Sequence, residues 1–198
     1  MKFAVAVMSA LVLVSSAALG QGTAWRMDPA HSKVEFGVKH MVISEVTGIF
    51  KEFDATLSSS KPDFTDAVFS ANIKTASVST DNTMRDNHLR SDDFLNAEKY
   101  PAITFKSTRV EKTGDDSYKV YGDLTIRDVT KPVILDTKLN GVIKDPMGNQ
   151  RAGFTATTSI NRFDYGVKWN RAIETGGLIA GDKVTITLNM EFVAPKGS

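Results

Sequence analysis

The sequence predicts an all-β fold, a single antiparallel up-and-down barrel of about eight strands. Three observations lead there. Apolar and polar residues alternate near both ends: in SKVEFGVKH (32–40) Val34, Phe36 and Val38 oppose Lys33, Glu35 and Lys39, and in VTITLNMEF (184–192) Val184, Ile186, Leu188, Met190 and Phe192 oppose Thr185, Thr187, Asn189 and Glu191. A period of two marks a strand with one buried and one wet face. Turn chemistry punctuates the chain, with all six prolines at segment ends or connections. No internal repeat or low-complexity linker divides it, which argues for one domain. A large sheet with one continuous apolar face must close on itself or fold over as a sandwich, and consecutive hairpins fit the closed barrel best.

Residues 1–20 stand apart from the sheet. Lys2 supplies a positive start, Phe3 to Val14 an apolar stretch, and Ala18-Leu19-Gly20 a small-x-small cleavage site before Gln21. The apolar run is shorter than a bilayer span and Ser9, Ser15 and Ser16 dilute it, so a cleaved signal peptide is favoured over an anchor. The domain then comprises 21–198. It contains no cysteine, neither to accept a lipid nor to form a disulfide, and about 180 residues bury an adequate core without bridges. Loss of the leader removes only Lys2, so 24 basic and 23 acidic residues become 23 and 23. Without a basic arm or stripe, nucleic-acid binding is disfavoured.

The expected strands are 24–28, 32–41, 46–58, 66–76, 103–112, 117–129, 133–144, 151–161 and 183–193. Thr113-Gly114-Asp115-Asp116 and Asp145-Pro146-Met147-Gly148-Asn149 read as hairpin turns, which makes the central strands a meander. One stretch breaks the pattern. DNTMRDNHLRSDDFLNA (81–97) predicts a short helical segment, with Asp81 as N-cap, Asp86 and Arg90 at i,i+4 spacing, and Tyr100-Pro101 as its stop. Lying between strands, it should cover a barrel end.

The face assigned inward carries large residues, including Phe36, Phe50, Phe69, Ile73, Phe105 and Leu124, followed by Ile126, Leu135, Phe154, Ile160 and Phe192. It also carries small ones: Ala67, Ala71, Gly122, Gly141, Ala156 and Thr158. Side chains reaching across can fill a barrel of this size, and the small positions can equally leave a cavity; pattern alone leaves both open. Few inward positions are polar, so a ligand should be long or flat and apolar.

Chemistry is weakly encoded. His31, His40 and His88 are candidate zinc ligands, with Asp92 one turn after His88, but none has metal-ligand spacing to another. There is no G-x-S-x-G elbow and no cysteine nucleophile. No enzyme activity and no metal site are expected. Arg85, Asp86, His88, Arg90, Asp92 and Asp93 crowd together; they either grip a ligand head group or, as favoured, form a network pinning the helical segment to Asp28 or His31. Trp169-Asn170 and Glu174-Thr175-Gly176-Gly177-Leu178-Ile179 lie in a long loop that can gate the lumen or simply pack.

Four segments in order carry a resemblance: WRMDPAHSKVEFGVKHMVISEVTGIF, TASVSTDNTMRDNHLRSDDFLNAEKYPAITF, YGDLTIRDVTKPV and INRFDYGVKWNRAIETGGLIAGDKVTI. Together they resemble the YceI-like family of bacterial periplasmic and secreted proteins, over residues 24 to 193. Asp128 stands where many relatives have glycine, a frequent substitution. The resemblance implies an extended lipocalin-like barrel whose lumen holds the tail of a polyisoprenoid, such as a prenylated quinone or prenyl phosphate. It also implies binding without catalysis and a periplasmic or secreted location. A membrane cytochrome b-type partner and, in some relatives, a homodimer belong to the same picture. No cofactor is expected beyond the bound lipid. The expected lumen contacts are Phe36, Val38, Phe50, Phe69, Ile73 and Phe105, together with Leu124, Ile126, Phe154, Ile160, Trp169 and Met190. Trp169 is expected near a mouth flanked by 161–182 and 81–100. The alternatives are a filled barrel acting through surface contacts with a membrane or secreted partner and, less favoured, a metal-dependent hydrolase.

Overall fold

The computed structural model describes residues 22–172 and 178–194; the leader at 1–20 and residues 174–177 of the expected gate lie outside the described residues. The strands are β1 (Thr23–Met27), β2 (Lys33–His40), β3 (Ser44–Phe50), β4 (Phe53–Ser59), β5 (Val68–Lys74), β6 (Val78–Ser79), β7 (Ala102–Lys112), β8 (Ser117–Ile126), β9 (Val129–Lys144), β10 (Gln150–Asn161) and β11 (Ala180–Ala194), with one helix, α1 (Thr83–Arg90). Neighbours in the sheet run β1-β4-β5-β7-β8-β9-β10-β11, and β11 returns to β1, closing an antiparallel barrel of eight strands.

The long last strand gives the barrel two unlike ends. One edge of β11 pairs with β10 from Lys183 to Ala194. Its other edge pairs with β2, from Ala180 opposite His40 to Asn189 opposite Lys33, and then with β1 at Phe192 and Val193. At the β1 end the ring closes through hydrogen bonds. Toward Ala180 the sheet instead continues through β2 and β3 to the two-residue β6, beside which α1 packs.

Several sequence expectations are corrected. The strand expected over 46–58 is two, because β3 pairs with β2 and β6 while β4 pairs with β1 and β5, with Lys51 and Glu52 exposed at the corner. The strand expected over 117–129 stops at Ile126, and Arg127 turns the chain at φ 58° so that β9 begins at Val129. The helix is capped by Asn82, whose side chain accepts from the Arg85 N–H, and not by Asp81, which sits at φ 57°. Asp86 and Arg90 do not pair: Asp86 accepts from Thr80, and Arg90 donates to the carbonyls of Ala76 and Val78.

The glycines also divide. A Cβ on Gly122 would stand 2.4 Å from the Phe105 ring and 2.6 Å from the Lys106 carbonyl, so the space at this inward position is already filled. Gly141 does not face inward. The register shifts between Gly153 and Phe154, which face Gly141 and Leu139, so Asn140 is the extra residue of a bulge and Gly141 moves to an exposed position.

At the β1 end the barrel is solid. Trp25, Leu57, Ala152, Phe154, Phe192 and Ala194 are buried, and Phe64 folds in from the β4–β5 loop. Phe64 stacks edge-on against Trp25 at 5.6 Å and Phe154 at 5.3 Å, and Phe69 meets Phe154 at 5.6 Å, geometries that aromatic quadrupoles favour. Asp66 fixes the loop. Burial opposes its charge, but bonds from the Ser59 and Ser60 hydroxyls and the N–H groups of Ser60 and Lys61 prevail and hold its carboxyl well below the usual carboxylate range.

Candidate functional site

Above this aromatic plug the interior opens into a cavity of about 420 Å³, within the size range of small-molecule pockets. Its wall is continuous and apolar because successive strands of a barrel present alternate residues inward. All of the expected lumen residues line it: Phe36 and Val38 on β2, Phe50 on β3, Phe69 and Ile73 on β5, Phe105 on β7, Leu124 and Ile126 on β8, Phe154 and Ile160 on β10, Met190 on β11, and Trp169 after the β10 strand. Ala71, Ala156 and Thr158 line it too, whereas Ala67 belongs to the plug.

The wall also contains residues that strand periodicity does not mark. Leu89 comes from α1, Phe94 and Leu95 from the turns that follow it, and Tyr165 and Val167 from the segment after β10. Phe94 and Tyr165 are buried, at 8% and 2% exposure. Aromatic and leucine residues inside polar runs such as SDDFLNA were the available signal.

Among the polar groups that line the cavity, Thr80, Arg85, His88 and Arg162 gather toward the end away from the plug and are engaged in hydrogen bonds, while His40, Thr137 and Thr158 add further polar atoms to the wall. Thr80 donates through its N–H and hydroxyl to Asp86 at 2.8 and 2.6 Å and accepts from Arg85 Nε at 2.7 Å; Arg85 Nη2 also donates to the Thr80 carbonyl at 2.9 Å. With the Arg90 bonds these contacts fasten α1 to β6. The favoured anchor at Asp28 or His31 is therefore wrong, because the neighbour of α1 is the strand that precedes it. His88 shares a hydrogen bond of 2.8 Å with Asp93 and lies edge-on to Phe94 at 4.9 Å and Trp169 at 5.1 Å. Trp169 thus bridges the two segments expected to flank the mouth.

Arg162 is a further lining residue that sequence reasoning missed. It is buried at 5% exposure and lines the cavity, yet its donors end on four backbone carbonyls: Gly181 (2.8 Å), Val167 (2.7 Å), Trp169 (2.8 Å) and Ala180 (2.9 Å). Burial lowers its pKa, with Asp182 opposing that shift. The guanidinium clamps the Trp169 segment to the start of β11, a role no local pattern announces.

The histidines do not assemble. His31 and His40 lie at opposite ends of β2, separated by roughly 30 Å at the rise of a strand, and His88 is on α1. His31 does approach Asp28 and Glu191, the three placing ligand atoms within 4.8 Å of one another. Arg151 already occupies that cluster, donating to Asp28 at 2.7 Å, Glu191 at 2.5 Å and Asp145 at 2.9 Å. The Arg151 bond, then the His31 bond, lowers the Asp28 pKa to about 2; the Arg151 bond does the same for Asp145, to about 2. The cluster is an ion-pair clamp joining β1, β10, β11 and the β9–β10 turn.

A closed antiparallel barrel, plugged at one end and hollow and apolar at the other, has the architecture of barrels that can enclose an apolar small molecule. Comparison with known proteins places it further: the chain belongs to the YceI-like family, whose domain model matches residues 25–192. It is 40% identical over 171 residues to a UPF0312 protein of Staphylococcus aureus strain N315, covering 86% of this chain and 97% of that one. Among solved structures it is similar to a Campylobacter jejuni YCEI protein, with 34% identity, a TM-score of 0.68, and 80% and 90% of the two chains covered. Burkholderia cenocepacia BcnA matches with a TM-score of 0.72, 25% identity, and 83% and 98% covered. A polyisoprenoid binding domain from Saccharophagus degradans shares the fold, with a TM-score of 0.68, 16% identity, and 87% and 99% covered.

Proposed function

We propose that this protein is an exported, non-catalytic carrier that holds the tail of a polyisoprenoid, or a comparably long apolar lipid, in the barrel cavity. The observation that carries the reading is the wall itself: a predominantly apolar lining above a solid aromatic floor, with Thr80, Arg85, His88 and Arg162 already engaged in hydrogen bonds within the protein. Such a wall favours burial over directed contacts. At roughly 0.8 kcal/mol per methylene removed from water, a chain of many carbons gains far more from the lumen than a compact polar molecule does. The shared fold of the Saccharophagus degradans polyisoprenoid binding domain is consistent in architecture. The leader-like residues 1–20 support export to the periplasm or medium.

In the loading step the tail threads past Trp169 between α1 and the segment after β10, and its far end stops against Phe154 and Phe192. The test is native mass spectrometry of protein exported by a bacterial host, followed by solvent extraction. The expected result is a stoichiometric adduct with the mass of a prenyl lipid; bare protein that also rejects added polyisoprenol overturns the reading.

A further inference from the structure

The β2–β3 hairpin ends in Met41-Val42-Ile43, which are 39%, 67% and 87% exposed. The turn runs against ordinary hairpin chemistry. The Ile43 N–H donates to the His40 carbonyl at 3.2 Å, with Met41 at φ 49° and Val42 at φ 67°. A turn with both central residues at positive φ favours Asn-Gly, and a β-branched residue there is an outlier. Bulky apolar side chains therefore occupy the positions where they fit the backbone worst and cannot reach the protein's own core.

The tip lies at the mouth. His40, which precedes it, lines the cavity, and the Met41 N–H donates at 3.0 Å to the carbonyl of Ile179, another lining residue. Along β11 this position is twelve residues, roughly 40 Å of strand, from Phe192 in the plug. On the other element bordering the cavity, Met84 of α1 is 84% exposed and directly precedes the lining residue Arg85.

We infer that Met41, Val42 and Ile43 form an insertion tip that docks the cavity mouth onto a lipid bilayer. The inference rests on the lipid-carrier reading for its purpose, since a ligand dissolved in a membrane transfers most directly when the mouth sits on that membrane. The occupant follows from size. Three side chains cannot supply the roughly 800 Å² per partner of a stable protein interface, whereas shallow burial of a few apolar side chains at the acyl boundary suffices for reversible membrane association.

The test uses the triple variant Met41→Asn, Val42→Gly, Ile43→Ser, which removes the apolar tip while giving the turn residues suited to its φ values, so the barrel is kept. Flotation with vesicles of phosphatidylethanolamine and phosphatidylglycerol should show about tenfold weaker partitioning of the variant, with a melting temperature no lower than the parent's and unchanged lipid content in vesicle-free extracts. As the chain has no cysteine, Ile43→Cys labelled with an environment-sensitive dye should shift to the blue on vesicles. Equal partitioning of variant and parent overturns the docking and leaves the carrier reading standing. Tip-dependent partitioning by protein that neither retains nor accepts polyisoprenol sustains the docking while the carrier reading falls. Self-association in vesicle-free sedimentation that the variant abolishes, without tip-dependent flotation, makes the tip a contact between copies and also overturns the docking.

Discussion

The two ends of the barrel share most of their strands and differ in what closes and fills them. At the β1 end, Phe154 and Phe192 meet Phe64 and Trp25, and Leu57 is 1% exposed. Fewer than ten residues further along β11, Leu188, Ile186 and Val184 are only half-buried and border open space. The difference comes from the loops. The β4–β5 loop sends an aromatic side chain into one end, whereas α1 and the segment after β10 arch over the other and leave a void beneath. The plug is closely packed, and the open space lies beyond it.

Matched substitutions should expose this division. Leu57→Ala removes side-chain atoms from close packing and should cost about 3–5 kcal/mol. Leu188→Ala enlarges an existing cavity and should cost about 1 kcal/mol. Chemical denaturation of both variants checks the contrast, and equal losses would mean the hollow end is packed as tightly as the plug.

The glycines offer a second comparison. A Cβ at Gly122 meets the Phe105 ring and the Lys106 backbone, so Gly122→Ala should destabilise by about 1–3 kcal/mol. A Cβ at Gly48 meets the Phe36 ring at 2.4 Å and a Thr80 methyl at 2.8 Å, but Phe36 borders the cavity and can swing into it. Gly48→Ala should therefore destabilise less than Gly122→Ala while weakening lipid retention, a pair of effects separable by melting and extraction.

The Arg151 clamp makes a pH-dependent contribution. Asp28 and Asp145 titrate near 2 in the fold, below the unfolded value near 4, so they bind fewer protons folded than unfolded around pH 3. Their stabilisation is complete above the unfolded pKa and disappears as pH falls from about 4 through 2. Arg151→Met should accordingly lose stability at neutral pH, and the gap from the parent should shrink across that acid window in pH-dependent melts. A gap constant with pH would separate the clamp from those carboxylates. A local effect belongs to Asn82→Ala, which removes the N-cap of α1 at about 1 kcal/mol and should appear as faster hydrogen exchange over 83–90 with the plug unchanged.

How far the chain was legible follows the same line between regular and irregular backbone. In strands, side chains alternate by geometry, so Phe36, Phe105, Leu124 and Ile160 could be assigned to the interior without knowing their partners. Gly141 fails because the bulge at Asn140 inverts parity beyond itself, and nothing local in the surrounding residues marks it. Phe64, Phe94 and Arg162 escaped the strand pattern for another reason. They act through chain segments with no period, and their positions depend on tertiary contacts: Phe64 on the Asp66-bound loop, and Arg162 on carbonyls up to 19 residues away. Part of the floor, the roof and the clamp of the site thus come from residues outside the strands, where no period of two marks them.

The chain's two tryptophans fall one in each region, Trp25 in the plug and Trp169 at the cavity. The most direct test of the central claim is titration of Trp25→Phe and Trp169→Phe variants with a long-chain prenylated benzoquinone, followed by tryptophan fluorescence. Lipid entering the hollow end should quench Trp169 saturably, near one equivalent, and quench Trp25 far less. Unsaturable quenching, or equal quenching of both tryptophans, would contradict a cavity that takes up the lipid above a closed floor.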